Sequence, residues 1–358
     1  MKEYIELLKT LIRNGAVSDA PEKVNRSVEI VRNYLAEHGV PYLTTEEVAD
    51  RKVLWAANRP GKVQDIILNV HLDVVPALPE QFEPVEKDGW LYGRGSNDDL
   101  GNAVAVIDSF CRHLDVPHGI GIIFTTDEEI GGSTTAAMIA RGYRASKFAI
   151  VLDGGYMSIV KAEKGMLGVK LTAQGKACHS SMPWDGVNPI TLLIKDYSAL
   201  LQNFLALPQA TADDVWHETM EPCIINGGTV DNQIPESAEM MLNIRYTCQE
   251  KRDALLALIR QSCSHCKVEV MRECEPVVND ENDPIMQKML ANMRELAPKG
   301  CKPEFSLMCG ATDARHMASW NVPIIMSGVA GGGAHGTNEN VELASIDNYI
   351  AWLDRALD

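Results

Sequence analysis

Apolar segments of strand length alternate with helical segments before residue 155. The run DIILNVHLDVV is too apolar for a surface strand and suits a central strand that is buried on both faces. The predicted order is KVLWAAN and DIILNVHLDVV (strands), NAVAVIDSFCRHL (helix), IGIIFTT (strand), TAAMIARGY (helix) and KFAIVLDGG (strand). This alternation predicts an α/β fold with a mostly parallel sheet and helices on both faces.

The pattern changes near Lys164. From there GMLGVKLTAQG alternates apolar and polar residues, as a strand with one exposed face does, and the following segments predict the order β-α-β-β-α-β. After about Asn279 the helix and strand patterns of the first kind return. We therefore predict a discontinuous large domain, residues 1–163 and 275–358, interrupted by an inserted α+β domain, residues 164–274.

Composition limits the classes of function. The chain has 358 residues and a formal net charge of −16, which argues against binding to the phosphate backbone of nucleic acids. No apolar run reaches the roughly 18 residues that a membrane-spanning helix needs, and MKEYIELLKT has the pattern of an amphipathic helix rather than of a signal peptide. We therefore expect a cytoplasmic protein without membrane association.

The nine cysteines are scattered, so reduced thiols are expected rather than a disulfide framework. Cys263 and Cys266 form a C-x-x-C pair with Cys274 nearby, but a second pair at zinc-finger spacing is missing. Buried or inert thiols are the favoured interpretation of this segment, and a structural zinc site is the alternative.

Side chains that can bind metals follow several predicted strands, at the sheet edge where ligands bind in open α/β folds. His71 and Asp73 are two residues apart on one strand, so their side chains point the same way. Asp153 lies at the end of another strand. Glu128 and Glu129 follow a third in FTTDEEIGG, where three adjacent acids repel one another unless solvent or a cation lies among them.

Two glycine-rich loops add further candidates. GRGSNDDLGN contains Asp98 and precedes a helix. A phosphate-binding loop or a plain turn is the alternative, but a G-x-G-x-x-G fingerprint is missing and two aspartates would repel phosphate. The second loop, GVAGGGAHG, contains His335. Imidazole and carboxylate donors without thiolate suit zinc, manganese or cobalt in an open catalytic site, so the motifs together predict such a site.

These motifs, in this order, resemble those of the co-catalytic zinc peptidase and deacylase family, which includes acetylornithine deacetylase, succinyl-diaminopimelate desuccinylase, peptidase T, glutamate carboxypeptidase and aminoacylase. The resemblance covers essentially the whole chain, with the inserted domain. It implies a zinc exopeptidase-like catalytic domain and a lid and dimerisation domain at residues 164–274. It also implies a hydrolase that cleaves amide bonds of small peptides or N-acylated amino acids, either an exopeptidase or a deacylase.

The resemblance further implies two divalent metal ions, zinc or alternatively cobalt or manganese. His71 and Asp153 would hold one ion, Glu129 and His335 would hold the other, and Asp98 would bridge both. A hydroxide between the two ions would attack the amide carbonyl.

The same resemblance gives supporting roles to two acids that lie close to proposed ligands in the sequence. Glu128 would be the general base, which passes the proton of the attacking water to the leaving nitrogen. Asp73 would orient the ring of His71 through its far nitrogen. The three acids in FTTDEEIGG would then not compete, because one carboxylate binds metal while its neighbour moves protons.

Motifs of the inserted domain also match the family. His179 in GKACHSS is the candidate for stabilising the oxyanion, and in relatives this histidine reaches the active site of the partner subunit. Asn232 in DNQIP and Arg245 in NIRY are candidates for substrate binding. Arg315 in GATDAR, outside the inserted domain, is the candidate for binding a substrate carboxylate, for which a planar guanidinium is well shaped. Each of the four could instead be a surface or structural residue.

The sequence departs from the family pattern at two positions. Asp99 stands where an uncharged residue is common, and we expect it to turn away from the metals. Asp153 stands where many deacylases carry glutamate, which resembles the peptidase T side of the family. The resemblance also implies a cis peptide bond between Asp98 and Asp99.

Two other classes of function fit the sequence less well. A non-catalytic relative could keep the fold and bind a peptide or an amino acid, but it would not need Glu128 as a base beside the metals. A nucleotide-binding α/β enzyme that uses the loop at Gly93 is disfavoured by the acidic charge and the missing lysine.

The exposed sheet face of the inserted domain also predicts a homodimer, since an open apolar sheet needs covering.

Overall fold

The structure is a computed structural model that describes residues 2–358. Contacts between residues divide the chain into two compact units. The first unit runs to Lys161 and includes Val278–Ser306 and Thr312–Asp358. The second unit consists of Ala162–Val277 and Leu307–Ala311. The short segment 307–311 belongs to the second unit although nothing in its sequence pattern indicates this.

Helices and strands largely follow the predicted order. Within residues 2–358 the helices are α1 (Glu3–Asn14), α2 (Pro21–Glu37), α3 (Leu100–Arg112), α4 (Ser133–Ala140), α5 (Pro189–Leu205), α6 (Gln249–Ser262), α7 (Pro284–Leu296), α8 (Ala314–Met317) and α9 (Leu343–Leu357). The strands are β1 (Tyr42–Val48), β2 (Arg51–Ala57), β3 (Val63–His71), β4 (Val85–Lys87), β5 (Trp90–Tyr92), β6 (Ile120–Thr125), β7 (Arg144–Tyr156), β8 (Ser158–Glu163), β9 (Gly165–Gln174), β10 (Cys178–His179), β11 (Thr219–Gly227), β12 (Gln233–Ile234), β13 (Ser237–Tyr246), β14 (Cys266–Cys274), β15 (Val277–Val278), β16 (Glu304–Met308), β17 (Ile324–Gly328), β18 (Gly331–Gly332) and β19 (Asn340–Glu342). Among residues 2–358, no helix is both long and apolar enough to cross a lipid bilayer.

The largest sheet has the order β1-β2-β6-β3-β7-β17-β8-β15, with β16 paired to β8. Its central strands β6, β3, β7 and β17 run parallel, so the prediction of a mostly parallel sheet is confirmed. β1 and β2 add antiparallel strands at one edge. β1 is missing from the predicted strands because its sequence, YLTTEEV, contains no apolar run and its residues are exposed or half-buried.

One hydrophobic core of the first unit lies between the sheet and its helices. Alternate residues of β3, Ile66, Leu68 and Val70, contribute to this core together with residues of α1, α3 and α9. Because side chains alternate along a strand, His71 at the end of β3 leaves the opposite face from Val70. The packing of one face of β3 therefore fixes the direction in which the first candidate ligand points.

The second unit contains the predicted β-α-β-β-α-β order, made of β9, α5, β11, β13, α6 and β14. Its four long strands form an antiparallel sheet in the order β11-β13-β9-β14. Along β13 the residues Met240, Leu242 and Ile244 are buried in a core shared with α5 and α6. The alternating residues, including Asn243 and Arg245, are half-buried on the other face. β10 and β12 form a separate two-stranded pair.

Candidate metal centre

The carboxyl ends of the parallel strands carry several candidate residues. His71 ends β3 and is paired in register with Thr125, which ends β6. Asp153 lies in β7, two residues beyond the pair that joins Val151 to β3. The turn with the three acids follows β6 directly. Neighbouring parallel strands therefore bring these side chains to one edge of the sheet.

Within residues 2–358 two groups of side chains could each hold a metal ion. The donor atoms of each group all lie within 4.8 Å of one another. The first group consists of His71, Glu128 and Asp153, and the second consists of Asp98, Glu129 and His335. The structure thus brings together all five residues proposed as ligands, with Glu128 as a sixth member.

Asp98 connects the two groups. One of its carboxylate oxygens lies 2.9 Å from Nε2 of His71, and the other lies 3.3 Å from Nε2 of His335. Nε2 of His335 also lies 3.0 Å from a carboxylate oxygen of Glu129. The carboxylate of Asp98 therefore presents one oxygen to each donor group.

The three adjacent acids of the turn point to three different partners. Asp127 accepts the backbone N–H of Thr134 at 3.1 Å and so holds the start of α4. Oε1 of Glu128 lies 3.2 Å from Nη1 of Arg315. Glu129 points to the second donor group. The turn therefore separates like charges that are adjacent in sequence.

Asp73 lies between His71 and the acidic turn. Nδ1 of His71 lies 2.9 Å from the backbone oxygen of Asp73 and 3.5 Å from its carboxylate. The carboxylate also accepts the hydroxyl of Ser18 at 2.7 Å and the backbone N–H of Glu128 at 3.2 Å. Asp73 therefore contacts the imidazole ring and also holds the backbone of the turn.

Asp99 supports the backbone rather than joining a donor group. Its carboxylate accepts the backbone N–H of His71 at 3.1 Å and the side-chain amide of Asn102 at 2.7 Å. The expected cis peptide bond between Asp98 and Asp99 is present. The side chains of these two consecutive aspartates therefore serve different partners.

Burial changes the protonation of the carboxyl groups in this centre. Burial raises the pKa of Glu129 to about 7, and burial together with the charge of Asp98 raises the pKa of Asp153 to about 7. Burial, followed by the negative charge of Asp313, raises the pKa of Glu128 well above its ordinary range. These carboxyl groups ionise readily only if a positive charge comes close.

The two histidines of the centre hold protons because carboxylates lie beside them. The hydrogen bond to Asp98 raises the pKa of His335 to about 9. Burial opposes the charged form of His71, but its hydrogen bonds to Asp73 and Asp98 raise its pKa well above the ordinary value. Metal ligation replaces such protons, because imidazole binds metals in its neutral form.

The donor chemistry fits two divalent ions. Oε1 of Glu129 is buried and has no hydrogen-bond partner within the described residues, so it is an oxygen donor that the protein itself does not use. The other donors are carboxylate oxygens and imidazole nitrogens, the set expected for zinc, cobalt or manganese. The fit therefore holds for the charge, type and number of donors.

The structure places Arg315 and Asp313 beside Glu128. Nη1 of Arg315 donates to the carbonyl oxygen of Thr312 at 2.9 Å as well as contacting Glu128. Asp313 is buried and accepts hydroxyl groups of Thr125 and Thr135 at 2.9 and 2.6 Å. Asp313 is not among the site residues predicted from the sequence, although its place in GATDAR, two residues before Arg315, is a usable signal.

Candidate residues of the second unit form a separate set. His179 and Asn232 both line a pocket of about 370 Å³ beside the pairing of β10 with β12. Nδ1 of His179 lies 2.7 Å from the hydroxyl of Ser181. Arg245 lies on the open face of β13 and is not among the residues that line this pocket.

The C-x-x-C segment contributes no donor group in the described part of the chain. Cys263 and Cys266 are buried, and all nine cysteines are free. Burial raises the pKa of their thiols to about 11 and about 12 respectively. Such thiols are poor metal ligands and nucleophiles, in agreement with the interpretation as buried, inert cysteines.

Known proteins resemble this chain over most of its length. A family model described as "Peptidase family M20/M25/M40" matches residues 67–358. Succinyl-diaminopimelate desuccinylase of Sulfurimonas denitrificans is 24% identical over 353 residues, which cover 94% of this chain and 93% of that protein.

Two solved structures show the same fold. Aminopeptidase PepT from Bacillus cereus has a TM-score of 0.79 at 19% identity, with 99% of this chain and 97% of that chain covered. The M20 family metallo-carboxypeptidase Sso-CP2 from Sulfolobus solfataricus has a TM-score of 0.81 at 17% identity, with 100% and 99% covered. Together with the match over residues 67–358 and the two donor groups, this makes the chain a member of peptidase family M20/M25/M40 and a metal-binding hydrolase of amide or peptide C–N bonds.

Proposed function

We propose that this chain hydrolyses small peptides or N-acylated amino acids, as an exopeptidase or a deacylase, with two zinc ions. The observation that carries the proposal is the position of Asp98, whose two oxygens face His71 and His335 at the junction of two donor groups. Cobalt and manganese are the alternative metals, because they accept the same imidazole and carboxylate donors.

In this proposal each ion has its own ligands and shares one. His71 and Asp153 would hold the first ion, Glu129 and His335 would hold the second, and Asp98 would serve both. Two ions in these places would polarise the scissile carbonyl and lower the pKa of water towards neutrality.

Glu128 transfers the proton of the attacking water. It accepts a proton from the attacking water and delivers it to the leaving nitrogen, a task for which a carboxyl pKa near the working pH is favourable. Burial supports this role because it raises the pKa of Glu128 well above the ordinary range. Asp73 supports the same step by holding the backbone N–H of Glu128.

The remaining roles follow the family pattern. His179 stabilises the oxyanion, and Asn232 and Arg245 bind substrate, with the first unit as the catalytic domain and the second as the lid. The shared pocket of His179 and Asn232 supports this grouping. Arg315 binds the substrate carboxylate, and its guanidinium beside Glu128 supports a place near the reacting bond.

We infer a homodimer formed through the lid, and a cytoplasmic location in which the nine free cysteines stay reduced. Ile224 and Ile225 on the edge strand β11 support the dimer, since they are 55% and 57% exposed. Multi-angle light scattering tests it. A monomer at micromolar concentration would contradict the dimer and also a role for His179 across an interface.

A hydrolysis panel tests the proposed function. Metal-depleted protein is incubated with dipeptides, tripeptides, N-acetyl and N-succinyl amino acids, each with and without zinc, cobalt or manganese. We expect hydrolysis of one substrate class only after metal is added. The control is the same reaction with excess chelator, and a protein that binds two ions but cleaves no member of the panel would contradict the proposal.

A further inference from the structure

The buried carboxylate of Glu339 joins two loops that each carry a proposed metal ligand. One loop contains Asp98 and the other contains His335. We propose that Glu339 is a positioning residue that holds these two ligands at the spacing the metal ions require. The inference rests on the two-metal function proposed above.

Glu339 accepts four hydrogen bonds from the first loop. Its Oε1 accepts the backbone N–H groups of Asn97 and Asp98 at 3.1 and 3.0 Å. Its Oε2 accepts the backbone N–H of Gly95 at 2.9 Å and Nη1 of Arg94 at 2.6 Å. The side chain of Glu339 has no exposed surface. A single carboxylate therefore satisfies three backbone donors of the segment that ends at the proposed bridging ligand.

The second loop, which contains His335, is also hydrogen-bonded to the segment that precedes Asp98. Glu339 lies four residues after His335, and its carbonyl oxygen accepts the N–H of Gly93 at 3.1 Å. Nη2 of Arg94 donates to the carbonyl oxygen of Gly336 at 2.9 Å. His335 itself has a φ of 63°, a left-handed conformation that residues other than glycine seldom adopt. Such a conformation persists when surrounding contacts hold the loop.

Replacing the carboxylate of Glu339 by an amide removes one of the two oxygens that accept these hydrogen bonds. In Glu339→Gln one of the two oxygens becomes an NH2 group, which must face either the N–H groups of Asn97 and Asp98 or the donors of Gly95 and Arg94. Two N–H groups of the protein then face the NH2 group of the glutamine, which is itself a donor and cannot accept their hydrogen bonds. Groups that orient metal ligands in this way typically change metal affinity about 10–100-fold when they are lost.

A purely structural explanation is the ion pair between Glu339 and Arg94, both of which are buried. Loss of Glu339 leaves the Arg94 charge without its carboxylate partner, which by itself destabilises the fold. The double variant Arg94→Met with Glu339→Gln separates the two explanations. It removes the buried charge and its partner together, but it leaves the backbone N–H groups of Gly95, Asn97 and Asp98 without the carboxylate.

The test uses Co²⁺ as the probe on metal-depleted full-length protein. Visible absorption reports the coordination of bound Co²⁺, titration gives affinity and stoichiometry, and urea unfolding without metal gives stability. We expect Glu339→Gln to bind at least one Co²⁺ about 10–100-fold more weakly, with a changed absorption band. We expect the double variant to regain stability and to keep the weakened binding.

Two single variants are controls. Gln81→Ala removes a hydrogen bond of 3.0 Å to the carbonyl oxygen of Gly336 but leaves Glu339 on the amides, so binding should stay at the wild-type level. Arg94→Met alone keeps the carboxylate on the three backbone donors, so we expect it to bind Co²⁺ more tightly than the double variant. If Arg94→Met binds as weakly as the double variant, Arg94 rather than Glu339 positions the ligands.

The remaining outcomes are distinct. Wild-type protein that binds two Co²⁺ while Glu339→Gln binds them equally well would overturn the positioning role and leave the proposed function intact. Recovery of both stability and affinity in the double variant would reduce Glu339 to a charge partner. Wild-type protein that binds no Co²⁺ would overturn the proposed function and the inference built on it.

Discussion

Single residues in the centre have roles that depend on their partners more than on their type. Asp127, Glu128 and Glu129 are adjacent acids, yet one holds a helix start, one faces Arg315 and one faces the second donor group. From the sequence, the family resemblance implies different roles for Glu128 and Glu129. The sequence gives no sign of Glu339, because most of its partners are backbone N–H groups, which have no signature in the sequence.

Glu128 provides the sharpest test at this scale. We expect Glu128→Gln to keep both metal ions and to lower kcat by about 10²–10⁴-fold, the usual contribution of a general base. Metal content by elemental analysis and turnover on the best substrate of the panel are the two measurements.

Glu129→Gln is the matched control, since it makes the same change one residue later. It should lose one ion, because Glu129 belongs to the second donor group. If instead Glu128→Gln loses an ion, Glu128 acts as a ligand of the group that contains His71 and Asp153, and the two roles are exchanged.

At the scale of elements, the sequence predicts well where burial produces a pattern. β3 and β6 are buried along most of their length and are central strands, and the alternation in β13 matches one buried and one open face. β1 and the segment 307–311 are not predictable in this way. β1 pairs with the adjacent strand β2, but an exposed polar strand resembles a loop in sequence. The segment 307–311 groups with residues 162–277, which are distant along the chain.

Asp196 on α5 fastens this helix to the turn before β14. Its carboxylate accepts the backbone N–H groups of His265 and Cys266 at 2.7 and 2.8 Å. Burial opposes ionisation of Asp196, but the hydrogen bonds from His265 and Cys266 lower its pKa below the ordinary 3.8. A carboxylate with a lowered folded-state pKa stabilises the fold above its unfolded pKa and loses that effect as the pH falls through the folded pKa.

We therefore expect Asp196→Asn to lower the free energy of unfolding by about 1–3 kcal/mol at pH 7, since a buried N–H loses its acceptor. The difference from wild type should shrink as the pH falls from about 4 through the lowered folded-state pKa of Asp196, because below it the wild-type side chain is neutral like that of the variant. Urea unfolding at several pH values measures this. Asp253→Asn makes the same change on an exposed carboxylate of α6 and should have no effect, and equal unfolding of wild type and Asp196→Asn at pH 7 would contradict the expectation.

At the scale of the whole molecule, acidic groups outnumber basic ones, both in the chain and in the candidate metal centre. The chain has a net charge of −16, and its metal centre brings four carboxyl groups and two imidazoles together. The raised pKa values of Glu129 and Asp153, about 7, and of His335, about 9, mean that the metal-free folded chain binds more protons than the unfolded chain. Stability of the metal-free protein should therefore fall as the pH rises from 5 towards 9.

Metal ions reverse this trend because they take the place of the bound protons. A ligand at 100 times its Kd that binds only the folded state adds about 2.7 kcal/mol per site to stability. We expect Zn²⁺ or Co²⁺ to raise the Tm, and the increase to be larger at pH 8 than at pH 5.5, because proton release favours binding at higher pH. Calorimetry with and without chelator at both pH values measures the change. His335→Ala should retain a smaller increase, since one donor group stays complete, whereas an increase in Tm that is the same at both pH values would show that the bound ions do not displace these protons.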